Sequence, residues 1–251
     1  MISSTANEGL ELAQLAFYAI ASVPSIYCLV KHGKVGLLGW LYVLIMCGIR
    51  IVGNGLAYHA LSTNGEPDRA AIIINGIGLS PLLLAALGIL RESNNSIQST
   101  LPVFLGRFGM LIPHMVIGGG IGLAAASGKN TILLEVGMII LAIGWAMIVG
   151  LVVVSVKSNT HWRRLDEEIK LLRAVMIVMP LVGIRLIYAI VTVFKFKSTS
   201  GESLAIQVIF GILLEFLIMI TYLFTGIYTR NLAHVSSKKA GVICDPDYTP
   251  V

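Results

Sequence analysis

"PLVGIRLIYAIV", residues 180–191, reads as the middle of a membrane-spanning helix, yet it carries Arg185. A charge at the centre of a bilayer costs several kcal/mol by most scales, so it must meet an opposite charge or a wet cavity. The proline and glycine just before it, Pro180 and Gly183, allow the helix to bend at that level.

The rest of the composition agrees with a membrane setting. The chain has 251 residues, 56% of them hydrophobic and only 12% charged, and its mean hydropathy is +0.87. A soluble domain carries roughly 25% charged residues. The formal net charge of +5 and the sequence pI near 9.2 do not point to nucleic acid, because the basic residues flank the apolar runs as topology signals do. Three cysteines, Cys28, Cys47 and Cys244, show no metal-binding spacing and no disulfide framework. No cleavable leader is expected. The first residues are acidic (Glu8, Glu11), and the apolar run that follows is long enough to act as the targeting signal itself.

Seven apolar runs stand out: Leu12–Val30, Val35–His59, Ala70–Leu90, Phe104–Ser127, Thr131–Val156, Leu172–Phe194 and Leu204–Tyr228. Each meets or approaches the roughly 20 residues a spanning helix needs. They are continuously apolar rather than alternating, which predicts helices and not a barrel. The expectation is an all-α membrane protein: a seven-transmembrane-helix bundle forming one domain over residues 1–230, with a short polar tail at 231–251.

Lysine and arginine counts set the orientation. With the N-terminus outside, the cytosolic segments carry eleven: Lys31, Lys34, Arg91, Lys157, Arg163, Arg164, Lys170, Arg173, Arg230, Lys238 and Lys239. The outer segments carry four: Arg69, Lys129, Lys195 and Lys197. The reading is N-out, C-in. Asn94-Asn95-Ser96 matches the glycosylation sequon but falls on the cytosolic side, so Asn94 is expected to stay unmodified. The longest cytosolic connection, residues 157–173, pairs Asp166 and Glu167 with Lys170 at helical spacing. It is a solvated helix end with Trp162 at the interface, or a docking loop for a cytosolic partner. Cys244 is a palmitoylation candidate.

The remaining polar residues inside spans are the candidates for function. Counted from the predicted outer face, Arg50, Arg185 and Glu215 each lie roughly 13–17 Å deep, near the midplane. Asn54 lies one turn above Arg50, with Asn75 and Glu135 shallower. The simplest arrangement sets Glu215 between the two guanidinium groups. One positive charge then remains for Glu135, or for an anionic or carbonyl-bearing ligand, to compensate. Such a network either fixes helix packing or builds a ligand pocket; arginines snorkelling to an interface are a third arrangement. Arg107, near its span's cytosolic end, fits snorkelling. His114, after Pro113, is a proton-transfer group or a cross-helix hydrogen-bond partner. Gly118 and Gly122, with Ala124 to Ala126, form a small-residue surface for close helix approach. "GIGLSP", residues 76–81, should loosen the third span, with Ser80 satisfying freed backbone groups.

"IRIVGNG" (49–55), "NGIGLSPLLLAALGIL" (75–90), "PLVGIRLIYAIV" and "EFLIMITYLFTGIY" (215–228) together resemble a family of fungal seven-helix integral membrane proteins of unknown function. The resemblance covers about Leu12 to Tyr228. It implies the seven-helix architecture and a fungal origin, and it supplies no ligand or catalytic residue. More distantly, the layout is similar to fungal rhodopsin-like receptors and lipid-translocating exporters. Small seven-helix terpene cyclases are similar in size and carry a tryptophan–glutamate pair in an early span and an acid in a late one. Here Trp40 is followed by Leu41, and only Glu215 matches, as the late acid. Prenyltransferase aspartate motifs, metal-ligand clusters, nucleophile–base pairs and phosphate loops are all missing from the spans.

The functional expectation is a non-enzymatic membrane protein, receptor- or transporter-like, with the bilayer as its first partner. It binds a small apolar or anionic ligand at Arg50, Asn54, Asn75, Glu135, Arg185 and Glu215, without metal or cofactor. The alternative is a membrane-embedded terpene cyclase or isomerase of secondary metabolism with Glu215 or His114 as general acid.

Overall fold

The computed structural model describes residues 2–64, 79–97, 109–127, 131–157, 164–196 and 204–232. These residues are all-helical. The helices are α1 (Ile2–Lys31), α2 (Gly33–Asn64), α3 (Leu79–Ser93), α4 (Leu111–Ala126), α5 (Thr131–Lys157), α6 (Asp166–Phe196) and α7. A 3-10 turn, Asn95–Ile97, follows α3. The last helix joins Leu204–Ile206, a π-helical stretch Gln207–Leu213, and Leu214–Tyr228. Five helices are long and apolar enough to cross a membrane, over Asn7–Lys31, Gly33–Thr63, Ile132–Lys157, Asp166–Phe194 and Gln207–Tyr228. α3 and α4 are described over 15 and 16 residues, short of the roughly 20 a span needs. The rest of their apolar runs lies outside the described residues.

The first helix begins ten residues earlier than the hydropathy of Leu12–Val30 predicts. Its polar start contains no proline and continues the backbone hydrogen bonding, so the helix outruns its apolar part. One residue, His32, separates α1 from α2. Gly33 follows with φ 60, a left-handed conformation that glycine adopts without Cβ strain. α6 runs unbroken through Pro180. Gly183 there makes room for Trp145, since a Cβ would lie 2.7 Å from the indole Cζ2. The indole Nε1 donates to Met179 O at 3.0 Å.

α3 is apolar on every side and sits at the centre, buried continuously from Ser80 to Leu90. It packs on α2, α4, α5 and α6, and α7 closes the bundle by packing on both α6 and α1. Successive helices alternate in direction. The contacts of His32 with Glu92 and Gly226, and of Asn94 with Ser155 and Arg164, gather one end of the bundle. That end is called the His32 end below.

Glycines set two of the crossings. A Cβ on Gly88 would lie 2.5 Å from Gly39 Cα, so α2 and α3 meet backbone to backbone. Gly120 and Gly137 do the same for α4 and α5, where a Cβ on Gly137 would lie 2.9 Å from Gly120 O. This corrects part of the expected surface: Ala124 does pack, with its N 3.0 Å from a Cβ added on Gly137, whereas Gly118 and Gly122 are exposed and have nothing within 4 Å of an added Cβ. The spacing was right for one face of α4, and the neighbouring face carries the contact.

The outward faces are apolar, with Ile20, Val23, Ile143, Ile177, Ile187 and Phe224 exposed, while Arg50, Asn54 and Glu215 are buried. So much exposed apolar surface is the pattern of a protein solvated by lipid.

Candidate functional site

Four helices bring polar side chains to one point inside the bundle. Glu215 stands in α7 just past the π-helical stretch, a widened turn that recurs at functional sites. Its Oε1 accepts from Arg50 of α2 and, at 3.3 Å, from Arg185 of α6. Its Oε2 accepts from the phenol of Tyr18 in α1 at 3.1 Å. Arg50, Tyr18 and Glu215 are all buried, and the Arg185 side chain is 13% exposed. The Arg185 guanidinium also lies 5.4 Å from the centroid of the Tyr188 ring. Phe17 stacks on Phe216 with centroids 3.9 Å apart, which pins α1 to α7 beside the carboxylate.

Of the sequence candidates, Arg50, Arg185 and Glu215 therefore touch. Asn54 lies one turn from Arg50, at 0% exposure, and neither of its side-chain atoms has a hydrogen-bond partner among the described residues. Glu135, half-buried in α5, makes no ion pair or hydrogen bond among the described residues and does not compensate the second arginine. Glu11 of α1 also lies within charge-interaction range of Arg50, a smaller influence on it than Glu215. The Glu11 Oε2 is buried without a hydrogen bond among the described residues. Among the described residues His114 bonds neither to this centre nor across helices. Its Nδ1 donates to Met110 O of its own helix, at 2.9 Å, and its ring lies beside Tyr42. Asn75, Arg107, Trp162 and Cys244 lie outside the described residues.

A second buried cluster, unforeseen in the sequence, closes the His32 end. The His32 Nε2 lies 2.9 Å from Gly226 O, and a carbonyl only accepts, so that nitrogen carries a proton. The Nδ1 faces Glu92 Oε1 at 2.6 Å, while Trp40 Nε1 donates to Glu92 Oε2 at 3.0 Å. Gly226 is required here: a Cβ would meet the Trp40 ring at 2.2 Å. Glu92 lies two residues past the apolar run Ala70–Leu90, and α3 extends to include it. Among the described residues no group of His, Cys, Asp or Glu is arranged to hold a metal ion.

Apolar outward faces around a buried ionic centre define a multi-pass helical membrane protein. The chain belongs to the family described as Domain of unknown function (DUF7702), whose model matches residues 4–232. No curated protein and no solved structure matches it.

Proposed function

We propose that this chain binds a small, partly apolar ligand beside Glu215, in the manner of a membrane receptor or transporter, with the His32 end facing the cytosol. The observation that carries the reading is Asn54. A fully buried amide with no partner among the described residues costs about 1–3 kcal/mol per unsatisfied group. A core that only held helices together would be better served by leucine at that place. Glu11 Oε2 and Arg185 Nε are likewise buried with no hydrogen-bond partner among the described residues. With Asn54 they offer an acceptor, a charged donor and an amide to the polar head of a ligand, and the surrounding apolar residues suit its body. The lysine and arginine bias toward the His32 end supports the orientation.

The enzyme alternative gains no observation. Both Glu215 oxygens serve as acceptors, for a phenol and two guanidinium groups, the bonding of a fixed anion rather than of a general acid.

The test is mass spectrometry of small molecules carried through purification by the wild type and by Asn54→Leu. A species with a polar head should be retained by the wild type and lost from the folded variant. If both proteins carry the same molecules in equal amounts, the site holds helices and nothing else.

A further inference from the structure

A different set of buried donors lies at the His32 end, separate from Glu215 and from the His32–Glu92 pair. Asn94 follows α3, Ser155 stands near the end of α5, and Arg164 lies just before α6. Arg164 Nη2 donates to Asn94 Oδ1 at 2.7 Å, to Ser155 O at 2.9 Å and to Ser155 Oγ at 2.8 Å. Ser155 Oγ donates to Asn94 Oδ1 at 2.7 Å. Glu168, one turn further on, is also engaged. Its Oε1 accepts from Ser96 N and Ser96 Oγ at 2.9 and 2.8 Å, and its Oε2 from Leu165 N at 3.2 Å.

The acceptors of the cluster are thus taken, and donors are left over. Arg164 Nε, Arg164 Nη1 and Asn94 Nδ2 are buried with no partner among the described residues. Arg164 is 6% exposed and Asn94 2%. Burial lowers the pKa of the Arg164 guanidinium, and Glu168 only partly offsets this. A guanidinium beside an amide N–H, both lacking acceptors, matches a ligand with several anionic oxygens. Arg91 and Lys157 add positive charge within three residues of Asn94 and Ser155, against Asp166, Glu167 and Glu168 in the first turn of α6, of which Glu168 already has both oxygens bonded. The cluster sits where α3 and α5 end and α6 begins, the level of lipid headgroups in a bundle of this kind.

We propose that Arg164 and Asn94 form a phosphate-binding site, filled by the phosphate of a lipid headgroup or by free phosphate.

Thermal unfolding of the purified full chain in mild detergent tests this. Three additions are compared: phosphatidylinositol, a phosphate-free glycolipid with the same acyl chains, and inorganic phosphate. Phosphatidylinositol should raise the melting temperature and the glycolipid should not. A comparable rise with inorganic phosphate alone identifies free phosphate as the occupant, and its absence identifies the lipid. Asn94→Asp keeps the Oδ1 acceptor for Ser155 and Arg164 but places an anionic oxygen where the Nδ2 donor was. It should fold and lose the rise; Arg164→Gln should lose it too. An equal rise in Asn94→Asp, an equal rise with the glycolipid, or no rise with either phosphate source overturns the site.

Discussion

The phenol of Tyr18 donates to Glu215 Oε2 at 3.1 Å across 197 positions of sequence, tying the first helix to the last. The same carboxylate holds Arg50 and Arg185 through its other oxygen. One side chain of α7 therefore joins α1, α2 and α6, and the bundle closes through an ionic contact as well as through apolar packing. The phenol fixes which oxygen is left for the two guanidinium groups.

Removing that carboxylate should be costly. Glu215→Gln leaves the buried Arg50 and the part-buried Arg185 facing a neutral amide, and breaking a buried pair costs about 3–5 kcal/mol. Thermal unfolding in detergent should show a large loss for Glu215→Gln. Tyr18→Phe removes one hydrogen bond and should cost about 1 kcal/mol. Combining Arg50→Met with Glu215→Met should cost less than the sum of the single changes, because the two share one interaction. Additive losses would mean that the two side chains do not act on each other.

At the other end, His32 links α1 to α3 and α7 through Glu92 and Gly226. Glu92→Ala strands the His32 Nδ1 and the Trp40 Nε1 together, so it should destabilise far more than Trp40→Phe, which keeps an aromatic ring and gives up one donor worth about 1 kcal/mol. Equal losses in a denaturation series would show that the carboxylate does not organise the cluster.

The sequon at Asn94 should remain unglycosylated. Its Oδ1 accepts from Ser155 and Arg164, and the residue is buried. Chain mass with and without endoglycosidase checks this. A glycan there would contradict both the proposed orientation and the packing around Asn94.

These clusters were unequally legible. Arg50, Arg185 and Glu215 stood out because charge inside an apolar run is rare, and helical rise alone set them at one depth. Glu11 and Tyr18 did not stand out, since an acid near a span's start and a lone tyrosine are both ordinary. The available signal was periodic: Glu11, Tyr18, Ser25 and His32 recur every seven residues, which keeps them on one stripe of α1 to within about 20° per step. His32 and Glu92 each lie at the edge of an apolar run, where hydropathy reads a polar residue as solvated. Only the tertiary fold brings two such edges together and buries them. The helix ends were blurred for a related reason, because hydropathy marks where lipid would be and not where backbone hydrogen bonding stops.

The small-residue surfaces give the sharpest contrast between spacing and contact. Gly118 and Gly122 have the four-residue spacing of a packing motif, yet a Cβ on either meets nothing within 4 Å. Gly88 has no glycine four residues away, yet its Cβ would meet the Gly39 backbone, Cα and N alike, at 2.5 Å. Backbone cannot swing aside as a side-chain tip can, so Gly88→Ala must push α2 from α3 at the centre of the bundle. The loss should be at least the roughly 1–3 kcal/mol of an overpacked core. It should also loosen the nearby His32–Glu92 contact, visible as faster amide exchange around Gly33. Gly118→Ala should be neutral or slightly stabilising, since alanine favours helix by about 1 kcal/mol over glycine. Melting temperatures of the two variants decide the matter: a Gly118→Ala loss as large as that of Gly88→Ala would return the helix contact to the spaced glycines.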